Sequence, residues 1–279
     1  MISLLLVISG WFAHARQESK SLLWKVEGHN IQTSYLFGTI HLLPQDDFAI
    51  KEKVSNAFND AEQIVLELDM DDPTLQMKMM QHAPMKEGIT LDQVFSEEEY
   101  TAVSNALKEQ TGMGLENMNT MKPIVISSML IGKLIEGTPA SYEMTFVQMA
   151  RERELEILGL ETVADQMAVF DRIPYQEQAK DVMEMINHEE EMRKEFSEMI
   201  IAYNNEDIDQ LYDIIDEYTD TETEMEELVV KRNKSWIPLI GELAQEKTTF
   251  FGVGAAHLGG DQGVINLLKE AGYTVTPIN

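Results

Sequence analysis

Cysteine is absent from the 279-residue chain, which excludes disulfides, thiolate metal sites and cysteine nucleophiles. Any metal ligand must therefore come from His, Asp, Glu, Asn or water. Histidine is scarce as well, and the chain holds six imidazoles in all. These are His14, His29, His41, His82, His188 and His257.

Basic residues are also few. The chain has 21 Lys and Arg against 49 Asp and Glu, a formal net charge of -28. Such a surface repels phosphate backbones and anionic lipid headgroups, so we expect no nucleic-acid partner. We interpret the acidity as serving solubility or a salty habitat, with attraction of cations as the alternative.

Long apolar runs are missing beyond the first residues, and the nearest, residues 124–135, is interrupted by Lys133. Residues 1–13 are nearly all apolar, and Ala13-His14-Ala15 fits a signal-peptide cleavage site, although a basic start is lacking. The alternative is a buried N-terminal strand. We predict a signal peptide at residues 1–15 and a single domain at residues 16–279. The protein would be periplasmic or secreted, with no stable membrane insertion after signal removal.

The remaining chain alternates between compact β-type runs and helical stretches. Strands are predicted at residues 22–26, 34–37, 63–68, 155–160, 249–253 and 273–277. Helices are predicted at residues 50–60, through most of 75–154 and 175–246, and at 263–271. This order predicts an α/β fold with α+β character. Its central mixed sheet would take strands from both ends of the chain, and helices, including a large helical insertion region, would cover it.

Two Gly-x-x-His motifs follow predicted strands, one ending in His41 and the other in His257. In each, glycine ends an apolar strand and lets the backbone turn or approach another group closely. The histidine then lies at a strand end, where α/β folds place ligands and catalytic groups. The alternative is that each histidine is a core residue satisfied by a backbone carbonyl.

Two glutamates, Glu67 and Glu161, interrupt or end strands that are otherwise apolar. A buried carboxylate is unfavourable unless it is paired, hydrogen-bonded or metal-bound, which favours a functional role. The alternative is a strand-terminal charge that reaches solvent or caps the next helix. That alternative is stronger for Glu161, because Thr162 is itself able to start a helix.

Arg232 and Asn233 fall on the apolar stripe of a predicted helix that also carries Trp236. Pro238 would kink or restart this helix. An arginine that faces a core usually meets a carboxylate, so we expect Arg232 to pair with a strand-end glutamate. The alternative is an arginine whose side chain extends along the surface to reach water.

The segments LLWKVEG, SYLFGTIHLLP, QIVLELD, Arg-Asn-x-x-Trp, FFGVGAAHLGG and LLKEAGYTVTPI together resemble the TraB/GumN family, whose animal relatives are the Tiki proteins. The resemblance covers residues 22–279. It implies a metal-dependent protease-like site, since Tiki proteins are described as manganese- or cobalt-dependent proteases. It would make His41 and His257 metal ligands, Glu67 a ligand or general base, and Glu161, Arg232 and Asn233 supporting members.

These residues predict a metal-dependent hydrolase that acts on a peptide or protein substrate. Two imidazoles and one or two carboxylates suit Mn, Co or Zn, which would activate water and polarise the scissile carbonyl. A second glutamate would accept the proton from water, and Arg232 or Asn233 would stabilise the oxyanion or orient the base. One rival is an exported protein that sequesters a peptide or signal in the same cleft without turnover. In another, His41 and His257 are structural and the site lies elsewhere.

Overall fold

The computed structural model describes residues 20–218 and 222–279. The predicted signal peptide lies outside the described residues and stays a prediction. The strands are β1 (Leu23–Glu27), β2 (Ser34–Thr39), β3 (Leu43–Pro44), β4 (Gln63–Leu66), β5 (Pro139–Ala140), β6 (Glu156–Gly159), β7 (Thr249–Gly254) and β8 (Thr274–Pro277). The helices are α1 (Glu52–Asp60), α2 (Leu75–His82), α3 (Leu91–Val94), α4 (Glu97–Thr111), α5 (Pro123–Leu130), α6 (Tyr142–Glu152), α7 (Val163–Phe170), α8 (Tyr175–Asn187), α9 (Glu189–Asn204), α10 (Ile208–Tyr218), α11 (Glu222–Met225), α12 (Lys231–Leu243) and α13 (Val264–Glu270).

Six of these strands form one mixed sheet in the order β6-β4-β7-β2-β1-β8. The first four are mutually parallel, whereas β1 pairs antiparallel with both β2 and β8. Strands from both ends of the chain therefore meet in the centre of the sheet, and helices connect the parallel strands. The predicted α/β fold with a central mixed sheet and a large helical insertion is confirmed.

The central strands β4 and β7 are buried along almost their whole length. Parallel strands covered on both faces have such continuous apolar sequences, which is why the runs were recognisable. The predicted strand at residues 63–68 ends earlier, at Leu66, so Glu67 follows the strand instead of lying within it. The strand predicted at 155–160 likewise ends at Gly159.

Aromatic side chains fill the core on one face of the sheet. Phe250 of β7 lies 5.0 Å from Phe146 of α6 and 5.4 Å from Phe58 of α1, measured between ring centroids. A smaller core, which includes Phe95 and Leu107, lies among α3, α4, α5 and α8. Each buried aromatic ring removes a large apolar area from water, so these contacts fix the helices on the sheet.

Helix starts and one helix irregularity place residues near the strand ends. Thr162 caps α7 in a reciprocal capping box with Asp165. A π-helical turn at Glu226–Val230 leads directly into α12, which continues through Pro238. Such π-turns are rare overall, and those that occur are often found at functional sites.

Within residues 20–218 and 222–279, no helix is both long and apolar enough to cross a membrane.

Candidate functional site

The four strand-end residues predicted from sequence follow four adjacent strands. Because β6, β4, β7 and β2 are parallel neighbours, their carboxyl ends lie along one edge of the sheet. Ligands and catalytic groups of α/β sheets gather at this edge. The residues that follow these strands, in spatial order, are Glu161, Glu67, His257 and His41.

Arg232 joins the two glutamates. Its Nη2 lies 2.5 Å from Oε2 of Glu67 and 2.6 Å from Oε1 of Glu161, and its Nε lies 3.1 Å from Oε2 of Glu161. All three side chains are largely buried, so these charge-assisted hydrogen bonds are little screened by water. Removing one member of such a cluster leaves an uncompensated buried charge. Arg232 therefore fixes the position of both carboxylates.

The π-turn and Trp236 orient the arginine itself. Nη1 of Arg232 donates to the carbonyl oxygen of Leu228, within the π-turn, at 3.1 Å. The guanidinium carbon lies 4.9 Å from the centre of the Trp236 ring, in the range of a cation–π contact. The predicted apolar stripe on this helix thus carries Arg232 inward, where its polar atoms meet carboxylates.

His257 is held as a neutral imidazole with a defined tautomer. Its Nδ1 lies 2.6 Å from Oδ1 of Asn233, whose Nδ2 donates to the carbonyl oxygen of Gln262 at 2.8 Å. Since the asparagine amide points its nitrogen at Gln262, its oxygen must accept the Nδ1–H of His257. Nε2 of His257 then carries a lone pair, 3.1 Å from Nη1 of Arg232. Burial and the charge of Arg232 lower the pKa of His257 to about 3.

Glu67 is the carboxylate closest to His257, with 3.9 Å between its Oε1 and Nε2 of the imidazole. Oε1 also accepts the backbone N–H of Gly254 at 2.7 Å. Burial alone would raise the pKa of Glu67, but the charges of protonated His257, of Arg232 and of His41, together with the Gly254 hydrogen bond, lower it to about 2. Glu67 is therefore ionised at neutral pH.

Glu161 has the opposite balance. Burial raises its pKa above the ordinary value, and this effect outweighs the hydrogen bonds and charge of Arg232 that lower the pKa. Gln166 of α7 also donates to Oε1 of Glu161 at 3.0 Å. The two carboxylates on one arginine thus have pKa values displaced in opposite directions, as in sites that pair a base with a permanently ionised group.

His41 lies at the exposed mouth of this edge and pairs with Glu143. Its Nδ1 is 2.9 Å from Oε1 of Glu143, and the same oxygen accepts the hydroxyl of Thr39 at 2.7 Å. This hydrogen bond raises the pKa of His41 above its ordinary value, although 71% of the side chain is exposed. In the described structure, His41 does not join the hydrogen-bonded cluster around Arg232.

Glu143 is the site residue that the sequence reasoning missed. Its side chain is mostly buried and takes a further hydrogen bond from Ser141, the residue that caps α6. An acidic residue in the first turn after a serine cap is a common feature of helix starts, so it carried no signal of a site. Only the packing of α6 against β2 reveals its relation to His41.

The glycines of the two Gly-x-x-His motifs permit close approach of backbone segments. A Cβ on Gly38 would lie 2.7 Å from Leu258 and 3.1 Å from Ala255, and one on Gly254 would lie 3.2 Å from Oε1 of Glu67. Side chains at these positions would separate the two motifs or crowd the carboxylate. The absence of side chains at these glycines therefore allows Glu67 and His257 to occupy their observed positions.

A cavity of about 510 Å³ opens beside the cluster. Glu161 and Arg232 are among the residues that line it, together with Arg172, Glu227 and Lys231. Its volume falls within the range of small-ligand sites. The Glu161–Arg232 pair is thus accessible from a cavity, although both side chains are largely buried.

The donor types fit a divalent transition metal, and so does the orientation of the imidazoles. Asn233 and Glu143 occupy the Nδ1 atoms of His257 and His41, as hydrogen-bond partners of metal-binding histidines do. Nε2 of His257 lies 3.1 Å from Nη1 of Arg232, so a metal there would have to displace this contact. Glu67 adds a carboxylate near His257. However, among the described residues no three His, Cys, Asp or Glu side chains converge closely enough to hold a metal ion.

The fold and the site define an α/β domain with a buried Glu-Arg-Glu cluster and two histidines at the carboxyl edge of parallel strands. Residues 22–277 match the TraB/PrgY/gumN family, and the chain belongs to this family. The resemblance noted from the sequence motifs is therefore confirmed.

Two curated relatives are proteins named Metalloprotease TIKI2. The one from Xenopus tropicalis is 24% identical over 321 residues, covering 94% of this chain and 60% of the relative. The one from Danio rerio is 22% identical over 321 residues, covering 94% and 61%. The chain thus spans about 60% of the length of these relatives. No solved structure matches the chain.

Proposed function

We propose that this chain is a metal-dependent hydrolase that cleaves peptide bonds. The observation that carries the proposal is the gathering of Glu161, Glu67, His257 and His41 after four adjacent parallel strands. The names of the TIKI2 relatives support a metalloprotease-like activity at the level of the family. The proposed metal ligands are His41, His257 and Glu67, and the proposed metal is Mn, Co or Zn.

A metal bound by these residues would supply Lewis acidity toward water and a peptide carbonyl. Glu67 suits a ligand because its low pKa keeps it ionised. Glu161 suits proton transfer because its pKa is raised and it lies on a cavity wall. Arg232 holds both carboxylates and offers a positive charge to a developing oxyanion. Asn233 keeps the lone pair of His257 on Nε2.

The second candidate function is a peptide-binding protein without turnover that uses the same cleft. It is favoured by the way Arg232 already satisfies Glu67, Glu161 and Nε2 of His257. Because Arg232 already compensates the charge of the buried carboxylates, a metal ion is not required to neutralise them. This candidate predicts that peptide affinity persists in chelator and that no cleavage products form.

Metal content separates these candidates. We would dialyse the wild-type chain and three variants, His41→Ala, His257→Ala and His29→Ala, against mixed Mn, Co and Zn, and measure bound metal by elemental mass spectrometry. His29 is exposed in the turn after β1 and serves as the matched control. The hydrolase proposal expects near-stoichiometric metal in wild type and His29→Ala, and loss in the other two while they stay folded. Wild type without metal would contradict it.

Peptide cleavage provides the second readout. The same proteins would be incubated with a random peptide mixture and the products identified by mass spectrometry, with and without chelator. Cleavage by wild type and His29→Ala that stops in chelator supports the hydrolase. Metal binding without cleavage would support a metal-containing binding protein. Absence of both metal binding and cleavage would support the peptide-sequestering candidate.

A further inference from the structure

A second cavity, of about 760 Å³, lies away from the strand-end residues, among α5, α8 and α9 and the ends of α3, α4 and α10. None of the proposed site residues lines it. We call it the helical groove. Residues of the smaller core form part of its wall, so it lies directly over a packed region of the insertion.

Apolar side chains from four elements line the helical groove. Val94 and Phe95 come from the end of α3, Ile124 from α5, Met183 from α8 and Met192 from α9. All except the buried Phe95 are partly exposed. Methionine is flexible and polarisable, and it recurs on surfaces that accommodate varied apolar partners. The helical groove therefore presents an adaptable apolar surface to solvent.

Carboxylates surround these apolar side chains. The helical groove is lined by one lysine, Lys180, and by Glu99, Asp181, Glu184, Glu191, Glu195 and Glu217. His188 lies between Glu184 and Glu191, at 3.5 Å and 3.1 Å from their carboxylates. The electrostatic potential in the cavity is therefore strongly negative. A charged group that enters the cavity lies within a Debye length of these carboxylates, so salt screens the interaction only in part.

We propose that the helical groove docks a cationic amphipathic peptide segment, with apolar side chains on one face and Lys or Arg on the other. The apolar surface matches the first face, and the surrounding carboxylates match the second. Amphipathic helices bind apolar grooves in this manner, with charges at the rim that set partner choice. Anionic partners such as nucleic acid are repelled by the same carboxylates. The proposal does not depend on the hydrolase activity.

The test measures fluorescence anisotropy of a labelled model peptide with Leu on one helical face and Lys on the other. A matched peptide carries Glu in place of every Lys. The whole protein is used, and thermal melting verifies that each variant is folded. Wild type should bind the Lys peptide more weakly as salt rises and should not bind the Glu peptide. Absence of binding to the Lys peptide at low salt would overturn the proposal, as would equal binding of both peptides.

Two sets of variants locate the binding. The groove set combines Glu184→Gln, Glu191→Gln and Glu195→Gln, and the control set combines Glu97→Gln, Glu190→Gln and Glu198→Gln. Both sets change the net charge equally, but the control carboxylates do not line the cavity. We expect roughly tenfold weaker binding for the groove set and little change for the control set. Equal weakening by both would show attraction to the acidic surface in general and would overturn the proposal.

The apolar contribution has a separate test. Met183→Gln combined with Met192→Gln leaves the charge unchanged while it makes the groove surface polar. Weaker binding of the Lys peptide by this variant supports apolar docking. Unchanged binding by a folded variant would show that the interaction is electrostatic alone and would overturn the proposed docking mode.

Discussion

The Nδ1–H of His257 donates to Oδ1 of Asn233 across 2.6 Å, and this contact determines which imidazole nitrogen carries the lone pair. Asn233 cannot rotate its amide without losing the hydrogen bond to Gln262. The asparagine thus acts on His257 as an orienting partner, whether Nε2 serves a metal or accepts from Arg232.

Replacing Asn233 by Ala should destabilise the protein and weaken the tautomer preference of His257. The Nδ1–H would lose its partner inside a buried site, for which we expect a loss of about 1–3 kcal/mol in the free energy of unfolding. Urea denaturation measures the loss, and ¹⁵N NMR of the imidazole measures the tautomer. Asn187→Ala, at the exposed end of α8, is the control. An unchanged ¹⁵N spectrum would contradict the orienting role.

Arg232→Gln should leave Glu67 and Glu161 without their cation. Near pH 7 we expect a loss of about 3–5 kcal/mol, as for other broken buried ion pairs. Arg172→Gln, a half-exposed arginine whose partner Glu227 also contacts Lys231, should lose less than about 1 kcal/mol.

The pH dependence of the Arg232→Gln loss checks its cause. In wild type, the pKa of Glu67 is lowered from 4.5 to about 2, so its contribution is present above pH 4.5 and is lost as the pH falls through about 2. In Arg232→Gln the carboxyls should protonate at higher pH. The difference between the two proteins should therefore shrink as acid is added. A constant difference in urea denaturation would mean that lost packing, not lost charge pairing, explains the effect.

Glu143→Gln should lower the pKa of His41 toward its ordinary value of 6.5, because the hydrogen bond to the carboxylate raises it. The stabilisation from this pair is present below pH 6.5 and is lost as the pH rises through the raised pKa. NMR titration of the His41 ring measures the shift, with His29 in the same spectra as an internal control. An unchanged His41 titration would rule out the assigned pairing.

The sheet and most of the strand-end residues were predictable because both depend on local pattern. The run at 63–68 has the apolar continuity of a buried parallel strand, and Glu67, the carboxylate that interrupts the run, lies at the sheet edge. Pairing of Arg232 with a glutamate was also predictable, since an arginine on an apolar stripe needs a buried partner. The structure shows that one arginine serves both Glu67 and Glu161.

Other features depend on contacts between distant segments and leave no local pattern. Glu143 and His41 are brought together by the packing of α6 on β2, and no spacing rule relates them. The π-turn at Glu226–Val230 differs from an α-helix by a single hydrogen-bond shift, which the apolar stripe does not reveal. The exact strand ends at Leu66 and Gly159 were also missed, because backbone hydrogen bonding continues past both positions and no sequence signal marks where the regular ladder stops.

Glu206 should make the protein more stable above the ordinary carboxyl pKa than below it. Its carboxylate accepts from Lys51 at 2.7 Å, from Lys53 at 2.5 Å and from the backbone N–H of Leu22 at 3.2 Å. Burial raises the pKa of Glu206, but the two lysines outweigh it, and the pKa is lowered from 4.5. The contact joins the start of β1 to the loop after α9.

Because the folded-state pKa of Glu206 is lowered, its contribution is fully present above pH 4.5 and is lost as the pH falls through the folded-state pKa. Thermal melting of wild type and Glu206→Gln across this range tests the effect. The variant should melt at a lower temperature near pH 7, because the mostly buried side chain of Lys53 would lose its carboxylate partner. The two melting curves should approach each other in acid. Glu190→Gln, exposed on α9, should follow wild type throughout, and a Glu206→Gln variant that did the same would show that these lysines gain nothing from the carboxylate.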